Sequence, residues 1–252
     1  MIKSKKLLKF NSITHGFFNR HGGKSIGIYN SLNCGLGSKD KKKTVLKNLG
    51  IVSKKIKCNI KNINLLNQVH STKNFFIHKS SSIKKRKTGD ALITNKKGFA
   101  LGVLTADCAP VLVFDKQLKI IAAIHAGWKG AYKGIISKTL NVFKNKGSKL
   151  KNIHAVIGPC ISVDSYEVKI DFKNKFKKKN KKNNLFFKNK NKKIYFDLGK
   201  YILYQIKKAG VKNVELIKKD TFSLKNNFFS YRRSIYKKED DYGRNISIIM
   251  IK

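Results

Sequence analysis

The sequence predicts an α/β fold, and three observations carry that expectation. Several apolar runs in the middle of the chain are partly β-branched and too short for helices, so they read as buried strands. An apolar stripe at helical spacing follows them, and a further helix-then-strand pair stands near the C-terminus. At 252 residues, with no internal repeat and no Pro/Gly/Ser-rich linker, the chain is expected to form one compact domain over 1–252.

The elements follow in chain order. Gly22-Gly23-Lys24-Ser25-Ile26-Gly27 offers positions where the backbone can turn or approach a ligand closely, although ordinary glycine turns account for it equally well. It matches neither a phosphate-binding P-loop nor a dinucleotide fingerprint. Phe99 to Leu104, Val111 to Phe114 and Ile120 to Ile124 are the central strands. Ala131, Ile135, Thr139, Leu140 and Phe143 then mark one helix, which Gly147 stops. A strand is expected from Ile153 to Ile157, ahead of Gly158-Pro159-Cys160. The lysine- and asparagine-rich stretch at 171–193, anchored by Phe172, Phe176 and Leu185-Phe186-Phe187, reads as a charged helix or partly flexible surface excursion. A helix from about Leu198 to Lys208 stops at Gly210, and strands near Val214 to Ile217 and Ile246 to Ile251 complete the series.

The formal charge is +44, from 57 Lys plus Arg against 13 Asp plus Glu. Such a surface attracts phosphate chains, but lysine is spread through loops, helices and strand ends alike, usually beside Asn or Ile. Codon bias of an A- and T-rich genome would generate that pattern without a basic partner. No helix-turn-helix, zinc finger or aromatic RNA-binding signature accompanies it, so no specific nucleic-acid partner is expected. The amino-terminal Met1 to Phe10 lacks the apolar segment and cleavage site of a secretory signal, and no run approaches the roughly 18 apolar residues of a membrane span. Cys34, Cys58, Cys108 and Cys160 form no CxxC pair, which fits reduced thiols and a cytoplasmic location. A monomer is expected, because no long coiled coil appears.

Three punctuated segments carry the chemistry: Asn67-Gln68-Val69-His70-Ser71, Thr105-Ala106-Asp107-Cys108-Ala109-Pro110 and His125-Ala126-Gly127-Trp128-Lys129-Gly130. Cys108 and His125 each follow an apolar run and so sit at strand ends, where side chains converge on a cleft. Two histidines and a cysteine with no obvious fourth ligand are the inventory of a catalytic metal site with one open position, and Zn2+ is the natural ion for nitrogen and sulfur donors. A buried core cysteine with satisfied histidines is the plainer account. Gln68 lies two residues from His70 and would face the same way in extended chain. Without a metal, Cys108 as nucleophile and His125 as base would make a thiol hydrolase or amidase. Arginine within Phe229-Ser230-Tyr231-Arg232-Arg233 and at Arg244, in a chain that overwhelmingly uses lysine, suggests planar, bidentate or stacking roles, or else structural salt bridges.

These segments resemble the YfiH family, also called the multicopper polyphenol oxidase or laccase-domain family, which includes peptidoglycan-editing factors and purine nucleoside phosphorylases. The resemblance extends through Arg20-His21-Gly22-Gly23, Ser31-Leu32-Asn33, Gly89-Asp90-Ala91-Leu92, Ile157-Gly158-Pro159 and Tyr166-Glu167-Val168, and so covers essentially the whole chain. It implies a single-domain layered α/β sandwich with mixed β-sheets and a zinc site at His70, Cys108 and His125. It also implies phosphorolysis of adenosine, inosine and methylthioadenosine by orthophosphate, with deamination of adenosine, or alternatively the editing of a peptidoglycan precursor.

On that reading Asp107 would move protons, Gln68 would orient the nucleoside, and Arg20, Arg232 or Arg233 would clamp phosphate. Copper-dependent polyphenol oxidation is less expected, because six histidines cannot readily furnish a multicopper cluster, although one copper ion would suit the same ligands. The chain departs from the family pattern at three places. Lys129 stands where arginine is common, Asp220-Thr221 where Cys-Thr is frequent, and the segment before Tyr166 lacks a second Gly-Pro and a cysteine.

Overall fold

The computed structural model describes residues 1–80 and 86–252. Strands β1 (Ile13–Phe17), β2 (Ile63–Asn64), β3 (Asn74–Phe76), β4 (Ala91–Thr94), β5 (Ala100–Thr105), β6 (Ala109–Asp115) and β7 (Ile120–Ala126) occupy the first half. β8 (Ile153–Ile157), β9 (Glu167–Val168), β10 (Phe187–Lys190), β11 (Lys193–Phe196), β12 (Asn213–Leu216) and β13 (Asn245–Ile251) follow. The helices are α1 (Lys5–Leu8), α2 (Lys42–Lys55), α3 (Trp128–Lys133), α4 (Ile135–Asn145), α5 (Ile170–Lys179), α6 (Leu198–Lys208) and α7 (Tyr231–Tyr236).

The strands form a six-stranded sheet of order β12-β8-β6-β7-β4-β3, a four-stranded sheet of order β1-β13-β5-β2, and a small sheet of β10, β11 and β9. Both large sheets are mixed, since β12–β8, β3–β4 and β2–β5 pair in parallel while the remaining neighbours run antiparallel. Period-two alternation explains how they stack. In β6 and β7, Val111, Val113, Ala122 and Ile124 face α4 and α6, whereas Leu112, Phe114, Ile121 and Ala123 face Leu101, Val103, Ile249 and Ile251 of the four-stranded sheet. The outer face of that second sheet, through Ala100, Ile246, Ile248 and Met250, packs on Leu49 and Val52 of α2. The result is helix, sheet, sheet, helix, and every residue of β6 and β7 is buried because both faces are covered.

The structure differs from the expected elements in two places. The stripe from Ala131 to Phe143 belongs to two helices, because Gly134 between α3 and α4 adopts φ 94°, a left-handed turn that a side chain resists. The 171–193 stretch is largely built structure: α5, a short 3-10 segment, and a β10–β11 hairpin whose loop residues Asn191 and Lys192 both have positive φ. Phe176 and Phe186 insert into the helix-side core, which is what the aromatic anchors in an otherwise cationic sequence achieve. Among the described residues no helix is long and apolar enough to cross a membrane.

A polar latch ties the amino terminus to the sheets. His15 Nε2 in β1 accepts from the Ser4 amide at 2.8 Å, and Ser4 Oγ donates to Glu215 Oε2 at 2.6 Å. Burial, and then Lys3, depress the His15 pKa from 6.5 to about 4, against a smaller opposing pull from Glu215. The unfolded chain therefore binds this proton first as pH falls. The stabilisation is complete above about pH 6.5 and is lost towards pH 4, at roughly 1.4 kcal/mol per pH unit. Denaturant unfolding at pH 7 and pH 4.5 is expected to show a loss of stability smaller in His15→Gln than in the parent by up to roughly 3 kcal/mol. Equal losses in both would mean that the latch does not titrate.

Candidate active site

One strand end and three connecting segments converge at one end of the layers. His125 is the penultimate residue of β7, Cys108 lies in the turn between β5 and β6, His70 lies between β2 and β3, and Asp90 directly precedes β4. Alternation along β7 puts His125 on the same face as Ala123, toward the second sheet. The donor atoms offered by His70, Cys108 and His125 all lie within 4.8 Å of one another, and His70 Nε2 is 3.5 Å from Cys108 Sγ. Gly127 makes this approach possible, since a Cβ there would come within 2.6 Å of the His70 ring and 2.7 Å of Cys108 Sγ.

One buried carboxylate organises the cluster. Asp90 Oδ1 accepts from His125 Nδ1 at 2.8 Å and from the His70 amide at 3.0 Å. Asp90 Oδ2 accepts from the amide and hydroxyl of Ser71, both at 2.6 Å. His70 is held at φ 57°, a left-handed conformation that costs an L-residue roughly 1–2 kcal/mol and persists because its surroundings fix it. Burial opposes ionisation of Asp90, but the hydrogen bonds from His125 and Ser71 hold its pKa at about 2. Burial also pushes the Cys108 thiol up, yet His125 and His70 bring it down to about 6. For His125, burial is outweighed by the Cys108 charge and the Asp90 hydrogen bond, which raise it to about 9. The sequence pattern alone did not assign Asp90 a role. Its rarity was the available signal, because the chain has only 13 acidic residues and this one sits fully buried.

The cluster opens into a cavity of about 830 Å³ whose wall includes Trp128, Tyr166, Tyr231 and Tyr242 together with Arg86, Lys129, Arg232 and Arg244. Aromatic faces beside fixed cations suit a flat heterocycle carrying, or accompanied by, an anion. Phe172 from α5 packs edge-on against Trp128 with ring centroids 4.9 Å apart, so the lysine-rich excursion braces this wall.

The remaining expected site residues take more structural positions. Gln68 lines the cavity, but its amide pairs with both backbone groups of Leu104, at 2.7 and 2.8 Å, and so pins the His70 loop to β5. Asp107 also lines the cavity; its Oδ1 accepts from Thr221 Oγ1 at 2.6 Å and its Oδ2 from the Arg232 amide at 2.8 Å. Burial pushes its pKa up, and those hydrogen bonds partly counter it. The three arginines separate: Arg232 joins the cluster's cavity, while Arg20 and Arg233 line a second cavity of about 240 Å³. Arg233 spends its guanidinium on the carbonyls of Thr221, Phe222 and Phe228.

Fold and site together define a layered α/β protein with a two-histidine, one-cysteine donor cluster on the floor of an aromatic and cationic cavity. The chain belongs to the multi-copper polyphenol oxidoreductase laccase family, whose model matches residues 14–252. It is 40% identical to a purine nucleoside phosphorylase of Rickettsia conorii over 75% of this chain and 78% of that protein. It is 34% identical to a purine nucleoside phosphorylase of Bacteroides thetaiotaomicron over 100% of this chain and 96% of that protein. Among solved structures, it matches the hypothetical protein YfiH of Bacillus licheniformis with TM-score 0.89 at 26% identity, covering 96% of this chain and 94% of the other. A DUF152 protein of Neisseria meningitidis matches with TM-score 0.85 at 30% identity, covering 96% and 95%.

Two outcomes are expected from this geometry. In metal-free protein, iodoacetamide modification of Cys108 should accelerate as pH rises through about 6 and level off above it, because the thiolate is the reactive form. Mass spectrometry of Cys108 against Cys58, whose thiol burial pushes up to about 11, reads this out; an onset near pH 8.5 would contradict the ion-pair arrangement. Asp90→Asn should weaken metal binding about 10- to 100-fold, measured by chelator competition, since the second nitrogen of His125 loses its carboxylate.

Proposed function

We propose that the chain is a purine nucleoside phosphorylase, acting on adenosine, inosine and methylthioadenosine with orthophosphate. The observation that carries this reading is the 830 Å³ cavity, which combines the donor cluster, four aromatic rings and three arginines in a chain that otherwise uses lysine. The size falls within the range of small-molecule sites. The relatives' names supply the substrate class.

The donor chemistry suits a Zn2+ ion: tetrahedral nitrogen and sulfur ligands at about 2.1 and 2.3 Å stand roughly 3.6 Å apart, which the 3.5 Å between His70 and Cys108 matches, and the full set, spread over 4.8 Å, would draw together around the ion. The Asp90 contact to Nδ1 leaves Nε2 of His125 for the cluster, and the lowered Cys108 pKa favours the thiolate. One ion at these residues would supply Lewis-acid polarisation of a substrate oxygen. His70, Cys108 and His125 are the one such cluster among the described residues, which suits a single-ion site of zinc, or of copper at the same donors, better than a multicopper centre.

In phosphorolysis a phosphate oxygen bonds to ribose C1′ as the C1′–N9 bond breaks, its electron pair leaving on the purine, which then takes a proton. Arg232 and Arg244, with Arg86 and Lys129, would neutralise the phosphate, and the aromatic rings would hold the base. Arg232 is oriented by stacking on Tyr166 at 5.3 Å and by donating to the Glu167 carbonyl at 3.0 Å. Asp107, with both oxygens engaged, serves as a positioning residue that seats the Arg232 backbone. Deamination of adenosine to inosine would use the same cavity, water bonding to purine C6 as the C6–N bond breaks and ammonia leaves.

A second reading rests on a distinct observation. Cys108, His125 and Asp90 form a Cys–His–Asp succession with a lowered thiol pKa, the arrangement a thiol hydrolase or peptidoglycan-precursor amidase requires. Incubating metal-quantified protein with adenosine, with and without phosphate, distinguishes the two. Phosphate-dependent adenine and ribose 1-phosphate are expected, abolished in Cys108→Ala and reduced roughly 100-fold in Arg232→Gln. Inosine in the same samples reports deamination. Absence of nucleoside turnover in metal-loaded protein would overturn the phosphorylase reading, and chelator-insensitive amide hydrolysis would replace it with the second.

A further inference from the structure

All five arginines of this chain line a cavity: Arg86, Arg232 and Arg244 the large one, Arg20 and Arg233 the small one. The small cavity therefore draws on the same scarce residue type as the large one, although lysine meets the need for positive charge almost everywhere else. Its walls also carry Phe229, Lys237, Glu239 and Tyr242. Arg20 is fixed there by stacking on Phe229 with its guanidinium 5.0 Å from the ring centroid, and by a hydrogen bond from Nε to the Asn30 carbonyl. That anchoring leaves its two terminal nitrogens without a hydrogen-bond partner among the described residues.

Arg233 is buried and fixed by three backbone carbonyls, so neither guanidinium is free to move away from the other. Burial and then Arg233 lower the Arg20 pKa, only partly offset by Glu239, which marks cations crowded without a matching anion. None of Arg20, Arg233, Lys237 and Glu239 is in an ion pair among the described residues.

We propose that this cavity is a second ligand site, separate from the donor cluster, which takes a small hydroxylated phosphate monoester. The two unpartnered terminal nitrogens of Arg20 and the Lys237 ammonium would hold a tetrahedral dianion, with the carbonyl-bound Arg233 guanidinium adding fixed positive charge beside them. At roughly 30 Å³ per water, a space of about 240 Å³ exceeds what a bare phosphate fills. The one carboxylate on the wall, Glu239, repels phosphate but accepts from a hydroxyl, which favours a sugar or polyol phosphate over the free ion. The site also shares a wall with the large cavity. Tyr242 lines both, and Arg233 and Arg232 are adjacent residues facing the small and the large cavity respectively.

The test uses calorimetric titration of the full chain with ribose 5-phosphate, glycerol 3-phosphate and orthophosphate, in an Arg232→Gln background that weakens anion binding in the large cavity. One equivalent of phosphate ester should still bind, at least tenfold more weakly once Arg20→Gln is added. Glu239→Gln should weaken the esters relative to orthophosphate. Circular dichroism and unliganded melting temperature of each variant establish that it is folded; Arg20→Lys provides a milder variant if Arg20→Gln is not. Loss of all ester binding on Arg232→Gln alone, affinity indifferent to Arg20, or no ester binding at millimolar concentration would overturn the second site. Orthophosphate binding as tightly as the esters would overturn the assignment of a monoester. None of these outcomes depends on nucleoside turnover, so the site and the phosphorylase reading fail separately.

Discussion

The Asp90 carboxylate is the contact on which the site depends. An ionised acid removed from water is tolerated only when its lone pairs are filled, and four donors from three residues fill these. In return it sets three things together: the side of the His125 ring that faces the cluster, the left-handed turn at His70, and the position of the loop that carries it. The turn is local strain offset by a long-range bond. Because Asp90 sits at the start of β4, paired to β7, the constraint is built into the register of the six-stranded sheet rather than into a loop. Four covered layers make that register rigid, and a rigid register lets donor atoms from one strand and two separate loops meet within 4.8 Å.

Charge and geometry are separable in this protein. A chain carrying +44 has no shortage of cations, and their abundance by itself indicates little. Five positions keep a guanidinium, and the structure turns all five toward cavities, fixing four of them by stacking or carbonyl contacts. An ammonium on a flexible stem could match the charge at those positions but neither the stacking nor the forked donation. Composition bias thus sharpened the signal: where lysine is the default, each exception marks a place at which planarity matters.

The same reasoning shows which parts were legible in the sequence. β5 to β8, α6 and β13 were readable because they are buried on both faces or amphipathic, so their apolar periodicity is unbroken. β2, β3 and α2 were not. The first two span two and three residues, too few for a period, and α2 buries Asn48 and Ser53 beside Val45, Leu49 and Val52, which blurs its stripe. Asn48 is buried for a reason that is not local: its amide donates to Ser25 Oγ and the Asn33 carbonyl and accepts from Lys24, thereby holding the glycine-rich loop. In the site, the donor residues were visible through their chemistry. The engagement of Gln68 with Leu104 and of Asp107 with Thr221 was not, because backbone and long-range partners leave no mark on spacing.

Two departures from the family pattern become one once the chain is folded. The segment at Ser162 to Ser165 and the pair Asp220-Thr221 lie far apart in sequence, yet Cys160 and Asp220 bridge in parallel and the hydroxyls of Ser162 and Ser165 both donate to Asp220 Oδ2. Aspartate at 220 needs donors that a cysteine would not, and the serines supply them, so either change alone would leave a half-buried polar group short of partners. The compensation reaches the cavity. Thr221 follows directly, donating to Asp107, which in turn holds the amide of Arg232. A substitution that looks peripheral in the sequence is therefore two hydrogen bonds from the guanidinium facing the donor cluster, and the serines that balance Asp220 keep that relay in place.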